Sequence, residues 1–255
     1  SVLTLEESKR VICEAQELGV SVLNFVGGEP LLRDDLPEII NSVDKDLSTT
    51  VLFTNGSCLE ERAQDLWKAG LDSAYVSIDA SEAGAHDAFR RSPGLFEKAL
   101  RGIDACRRIG FSIGISATIT PEAWRAGELE KIIELARDCG VHEVLVFDAL
   151  PAGRYKGRDD LIDNEGWVDT MIRSVEGFNR DTKYPGVTFF SYMTSHRSVG
   201  CNCGTSYFYV SPYGDMMSCD FNSTKFGNVI EETLWKVWER LSTNPSFFQA
   251  KWGGC

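Results

Sequence analysis

No stretch of this sequence is apolar for the eighteen or more residues that a membrane-spanning helix needs, so no membrane crossing is expected. Positive charge is scarce: 26 Lys and Arg stand against 38 Asp and Glu, a formal charge of −12. That balance argues against the nucleic-acid backbone and an anionic lipid surface as partners. The opening residues, SVLTLEESKRV, lack the basic-then-apolar layout of a secretory signal, and the expected location is the cytoplasm. There are three histidines, and His86, His142 and His196 have no metal-ligand spacing. His142 precedes an expected strand as a solvated turn residue, and His196 belongs to a loop. No expected strand carries a lysine, which counts against a Schiff-base lyase or aldolase. Low-complexity tracts are missing too, as is any repeat longer than a strand and a helix.

What is present begins with Ser21 to Arg33, SVLNFVGGEPLLR. An apolar run of strand length stops at two glycines, a carboxylate and a proline, which is the pattern of a buried parallel strand ending in a turn. Gly27 and Gly28 let backbone approach a ligand, since no Cβ intervenes. Glu29 then stands at a strand carboxyl end, where ligands bind in parallel α/β folds, and its carboxylate suits an ammonium group. On its own, GGEP fits an ordinary tight turn equally well.

The alternation continues along the chain. Thr4 with Glu7 resembles a capping box for a helix running to Gly19, and Leu36 to Val43 forms another. Strands are expected at TVLFT (50–54), AYVSI (74–78), FSIGISAT (111–118) and EVLVF (143–147), with helices over 59–69, 96–109 and 129–139. Every strand ends in polar or Gly-rich residues: GGEP, TNG, SIDAS, TIT and FDALPAG. Polar punctuation on one end of all strands is the pattern of a barrel with its site on that face. The fold class is therefore α/β, a partial (β/α)6 TIM-type barrel of parallel strands, followed by a small C-terminal α+β extension. Residues 1–153 make the barrel, and 154–200 connect through a helix over 167–178 and a strand over 187–192. Residues 201–255 make the extension, with a hairpin around Ser211 to Gly214 and an amphipathic helix over 230–241.

The eight cysteines form two populations. Cys13, Cys58, Cys106 and Cys139 are scattered singly and suit small core positions. Cys201, Cys203, Cys219 and Cys255 crowd the last quarter of the chain, and without a secretory signal such crowding suggests metal or cluster ligation rather than disulfides.

Together GGEP, TNG and SIDASEAGAHDAFRR, followed by Cys203, ten residues, Gly214, four residues and Cys219, resemble radical S-adenosylmethionine (radical SAM) enzymes with a SPASM or twitch extension. The likeness spans nearly the whole chain. It implies that Gly27, Gly28 and Glu29 hold the amino group of S-adenosylmethionine, with Pro30 shaping the turn. Ser77 and Asp79 match the polar strand-end positions where the family contacts carboxylate and ribose, and Asn55 and Thr118 sit at equivalent strand ends; Ser77 and Thr118 fit half-buried strand hydroxyls equally well. Arg90, or else Arg91, clamps the carboxylate with a guanidinium fork. An auxiliary [4Fe–4S] cluster falls to Cys203, Cys219 and Cys255; Cys201 is the alternative fourth ligand but reads as a spectator, because thiolates one residue apart chelate a cluster awkwardly. A zinc site is the alternative, although zinc ribbons favour C-x-x-C pairs.

The family's CxxxCxxC, which holds the catalytic [4Fe–4S] cluster, does not occur in these residues. The expectation is that those ligands lie outside the given residues; the alternative is a degenerate, non-catalytic relative. The resemblance further implies an oxidoreductase, or an enzyme modifying a peptide or small molecule. Reductive cleavage of S-adenosylmethionine would give a 5′-deoxyadenosyl radical that abstracts hydrogen from the substrate. It also implies an electron donor such as flavodoxin or ferredoxin. Asp148, Tyr192 and His196 are candidate acids or bases by position only.

Overall fold

The computed structural model describes residues 1–161, 166–193 and 200–249. The first helix, α1 (Leu5–Glu17), starts at the expected capping box: the Glu7 N–H donates to Thr4 Oγ1 at 3.3 Å and the Thr4 N–H to Glu7 Oε2 at 2.8 Å. Strand β1 (Val22–Phe25) follows, then a 3₁₀ turn over Pro30–Leu32 and helix α2 (Leu36–Asn41). Strand and helix then alternate through β2 (Thr49–Thr54), α3 (Leu59–Lys68), β3 (Ser73–Ser77), α4 (Ala83–Arg90) and α5 (Leu95–Ile109). They continue through β4 (Ser112–Ile119), α6 (Pro121–Arg125), α7 (Glu128–Cys139), β5 (Glu143–Asp148), α8 (Trp167–Ser174), α9 (Glu176–Arg180), β6 (Gly186–Phe189) and α10 (Phe190–Met193).

The six strands form one sheet in the order β1-β2-β3-β4-β5-β6, parallel at each pairing from β2 to β6. A sequential order belongs to the wall of a barrel, because a doubly wound sheet reverses its order at a switch point. Every second residue of the middle strands is buried. Leu52, Ala74, Val76, Ile113, Ile115, Ala117, Val144 and Val146 are each 1% exposed or less, and helix residues such as Ala99, Ile103, Ile132 and Ile133 are equally enclosed. Each such Val, Leu or Ile side chain stabilises the fold by about 1.5–3 kcal/mol. The expected partial (β/α)6 barrel is what the chain forms, and no helix among the described residues is long and apolar enough to cross a membrane.

The chain gathers into two compact units. One comprises Asn24–Asp34 and Val51–Tyr192 and holds most of the sheet with its helices. The other comprises Ser1–Leu23, Asp35–Thr50 and Met193–Cys255. It contains a three-stranded antiparallel sheet, β7 (Tyr209–Val210), β8 (Asp215–Met217) and β9 (Lys225–Asn228), with helix α11 (Leu234–Ser242). Met216, Val229, Leu234, Val237 and Leu241 pack there with Ala15 of α1. Glu14 Oε2 accepts the Leu234 N–H at 2.6 Å, and an Arg10 Nη donates to the Val229 carbonyl at 2.8 Å.

Five details depart from the expected elements. The helix expected over 167–178 breaks at Val175, where Ser174 Oγ donates to the Met171 carbonyl at 2.7 Å and competes with the helical ladder. The strand expected over 187–192 stops at Phe189, where its pairing with β5 ends, and the chain turns into α10. Helix α4 arises inside SIDASEAGAHDAFRR, and the expected hairpin gains β9 as a third strand. Helix α11 begins at Leu234 rather than Ile230.

Candidate functional site

The carboxyl ends of β1 to β4 bring the expected cofactor residues of the barrel to one edge of the sheet. Glu29 is half-buried and caps the 3₁₀ turn that Pro30 opens. Its Oε1 accepts the Leu31 N–H at 3.0 Å and the Thr54 hydroxyl at 2.7 Å, while Oε2 accepts the Asn55 N–H at 2.7 Å. A carboxylate offers about four acceptor positions, so three donors leave one for an ammonium group. A Cβ built on Gly27 or Gly28 would meet no atom within 4 Å, so the backbone before Glu29 lies open to a ligand. These residues fit the amino end of S-adenosylmethionine.

The TNG segment is fixed from two sides. Ser57 N–H donates to Asn55 Oδ1 at 2.8 Å, which turns the Asn55 side chain into a local brace. Gly56 has φ of +82°, and a Cβ there would lie 2.8 Å from Ala99 Cα, so that glycine serves the close approach of α5.

At the end of β3 the Ser77 hydroxyl lies 3.3 Å from that of Ser116. Asp79 is buried. Its carboxylate accepts Arg90 Nε–H at 2.5 Å and the Thr118 N–H at 2.9 Å, and its own N–H donates to His86 Nδ1 at 3.2 Å. The structure therefore joins Asp79, Arg90 and Thr118 into one group, and puts Asp79 behind Arg90. Arg91 caps α4 in the left-handed region at φ of +55° and is exposed. His86 is wholly enclosed and packs near the Phe96 ring, with centroids 5.6 Å apart. Burial holds its imidazole below the usual histidine range.

The face of the sheet away from the helices carries rows of residues in register. Tyr75, Gly114 and Glu143 make one row, and Ser77, Ser116 and Leu145 the next. Tyr75 donates to Glu143 Oε2 at 2.6 Å across Gly114, where a Cβ would lie 2.7 Å from the tyrosine ring. Burial first, and then the Glu143 carboxylate, push the Tyr75 phenol up.

In the other unit, the Cys203 thiol interacts with those of Cys219 and Cys201. Cys203 is pushed up by Cys219 and by burial. Cys219 is drawn down by Cys203, against burial, and by the N–H groups of Phe221 and Asn222. A stabilised thiolate beside a second thiol fits iron–sulfur ligation. Among the described residues no three His, Cys, Asp or Glu side chains gather into a site for a single metal ion. Cys255 and His196 lie outside the described residues. Cys13, Cys58, Cys106 and Cys139 stand apart from the thiol cluster: one exposed on α1, one at the start of α3, one buried and one half-buried. Asp148 ends β5, and Tyr192 lies in α10, 40% exposed.

Sequence reasoning missed Thr54, Ser116 and His86 as supports of the site. It also passed over the contact of Cys201 with Cys203. Thr54 and Ser116 were legible as hydroxyls near the ends of apolar strands, and Cys201 as one of the crowded cysteines; the support that His86 gives Asp79 had no signal.

Comparison with known proteins places these features in a family. The model of the radical SAM superfamily matches residues 1–136, and that of the SPASM iron–sulfur cluster-binding domain matches residues 201–252. An AdoMet-dependent heme synthase of Methanosarcina barkeri is 29% identical over 279 residues, covering 99% of this chain and 79% of its own length. A GTP 3′,8-cyclase of Marinobacter nauticus is 35% identical over 160 residues, covering 62% of this chain and 48% of its own. Streptococcus suis SuiB shares the fold at 14% identity. Bound to S-adenosylmethionine it has a TM-score of 0.73, covering 92% of this chain and 58% of its own; bound to its precursor peptide SuiA the values are 0.74, 97% and 60%. The S-adenosylmethionine and 4Fe–4S cofactors expected from the motifs are those of the matched domains. The chain belongs to the radical SAM superfamily and carries a SPASM iron–sulfur cluster-binding domain.

Proposed function

We propose that this chain binds S-adenosylmethionine at the carboxyl ends of β1 to β4 and turns over a tetrapyrrole substrate in an oxidative radical reaction. When bound, S-adenosylmethionine and a reduced [4Fe–4S] cluster supply a 5′-deoxyadenosyl radical able to take a hydrogen atom from the substrate. The chain's own residues bind and orient. The Gly27–Gly28 backbone and the remaining acceptor position of Glu29 receive the ammonium, with Pro30 holding the turn. Arg90 receives the carboxylate, and Asn55, Ser77 and Thr118 border the nucleoside. In the SPASM/twitch part, Cys203, Cys219 and Cys255 would hold the auxiliary cluster, which when bound would supply a place for a second electron. A flavodoxin- or ferredoxin-type protein in the cytoplasm is the expected electron source.

The observation that carries this reading is Glu29, a carboxylate at an open glycine turn with one acceptor position unfilled. The tetrapyrrole is favoured because the heme synthase matches over 99% of this chain and the GTP cyclase over 62%.

The test is anaerobic turnover of the intact protein with dithionite and S-adenosylmethionine, reading 5′-deoxyadenosine and product by mass spectrometry. An iron porphyrin, GTP and a peptide are offered separately. Substrate-dependent 5′-deoxyadenosine with the porphyrin supports the reading, and with the peptide or GTP alone it moves the substrate class. No 5′-deoxyadenosine under any condition overturns the enzyme. Iron near eight per chain accompanies a catalytic plus an auxiliary cluster, about four leaves one, and zinc without iron points to a structural metal.

A further inference from the structure

The carboxylate of Asp79 is used up within the protein. Its Oδ1 takes the Thr118 N–H of β4 and its Oδ2 takes the Nε–H of Arg90 at the end of α4. The Asp79 side chain has no exposed surface, whereas that of Arg90 is 25% exposed. A group without surface touches no ligand, so Asp79 reaches the cofactor through Arg90. With Nε occupied, the two η nitrogens of Arg90 have no hydrogen bond or ion pair among the described residues. The arginine is thus held at its root and open at its fork. The Asp79 backbone is fixed in turn by His86, whose Nδ1 accepts its N–H.

We propose that Asp79 is a positioning residue that aims the Arg90 fork at the methionine carboxylate of S-adenosylmethionine, rather than a cofactor contact itself. The inference rests on the cofactor reading above. Bidentate pairing needs the guanidinium plane set within a narrow range, and a free arginine gives up its rotamer freedom on binding. The ion pair with Asp79 has already removed that freedom. The charge of Asp79 acts the other way, because it repels an incoming carboxylate. Neutralising Asp79 without orientation at stake would tighten binding, so a weakening is the signature of aim.

The experiment measures equilibrium binding of two probes to the intact, cluster-loaded protein. One is S-adenosylmethionine; the other is 5′-methylthioadenosine, which keeps the sulfur-bearing nucleoside and lacks the amino-acid carboxylate. Asp79→Asn and Arg90→Gln are each expected to weaken S-adenosylmethionine by about tenfold or more and to move methylthioadenosine by less than about twofold. The double variant is expected to bind no worse than Arg90→Gln, because one residue acts through the other. Equal losses for both probes, tighter binding by Asp79→Asn, or additive losses in the double variant overturn the role. Should Asp79→Asn fail to fold, Arg90→Lys carries the test: an ammonium cannot hold Oδ2 through Nε and also present a fork, so the same selective loss is expected. Wild-type protein that binds methylthioadenosine but not S-adenosylmethionine overturns the carboxylate clamp. Wild-type protein that binds neither overturns the function proposed above, and this role with it.

Discussion

Glu29 Oε2 accepts the backbone N–H of Asn55 at 2.7 Å, so the end of the first strand is fastened to the end of the second by the same carboxylate that faces the open glycine turn. Recognition and architecture share one side chain. Glu29→Ala strands the Leu31 and Asn55 N–H groups and the Thr54 hydroxyl, and is expected to destabilise the protein by about 2–3 kcal/mol. Glu29→Gln keeps one oxygen and is expected to recover part of that stability while still weakening S-adenosylmethionine binding. Urea melts beside binding isotherms separate the two effects; equal losses in both variants would contradict the shared role.

Gly56 is expected to tolerate no side chain. Alanine would force a Cβ to within 2.8 Å of the Ala99 Cα at φ of +82°, costing about 2 kcal/mol or more. Thermal unfolding of Gly56→Ala reads this directly, and an unchanged midpoint would mean that α5 can move away.

His86 makes stability pH-dependent. Burial depresses its folded pKa below the ordinary 6.5, so the unfolded chain binds the proton more readily. The stabilisation from a neutral His86 is complete above about pH 6.5. It declines as the pH falls from there through the depressed folded value. His86→Asn, whose side-chain oxygen stands in for Nδ1, is expected to flatten that part of the stability curve. An unaltered slope in urea melts between pH 5 and 7 would assign the dependence to other groups.

Cys203→Ala and Cys219→Ala are each expected to remove about four irons per chain and part of the absorbance near 400 nm. Cys106→Ser, a buried hydroxyl in place of a thiol, is expected to cost about 1–3 kcal/mol and no iron. Iron analysis of the three proteins checks the assignment, which fails if Cys106→Ser loses a cluster or if Cys203→Ala keeps both.

The barrel was legible because its strands carry a local signal: unbroken apolar runs such as VLFT and SIGISATI, each ending in polar residues. Helix α4 was not, because eight residues with four small ones and a buried histidine make no clear apolar stripe. Strand β9 was hidden by its polarity, KFGN pairing at the edge of a small sheet. The site residues were legible as types at strand ends, but not their partners. Asp79 carries the same sequence signal whether its carboxylate faces a ligand or, as it does, Arg90 and Thr118. Contacts such as Glu29 with Thr54, 25 residues apart, come from the sheet register and leave no trace in local spacing.

The bond from Glu14 to Leu234 spans 220 residues, and with the packing of Ala15 against Met216, Val237 and Leu241 it makes α1 a partner of the last secondary structures in the chain. During synthesis the part of α1 that β8 and α11 cover emerges long before those two elements do. At about 5–20 residues per second, translation leaves that surface uncovered for roughly ten seconds or more. A barrel expressed without its C-terminal part would carry the same uncovered surface permanently and would be prone to aggregate.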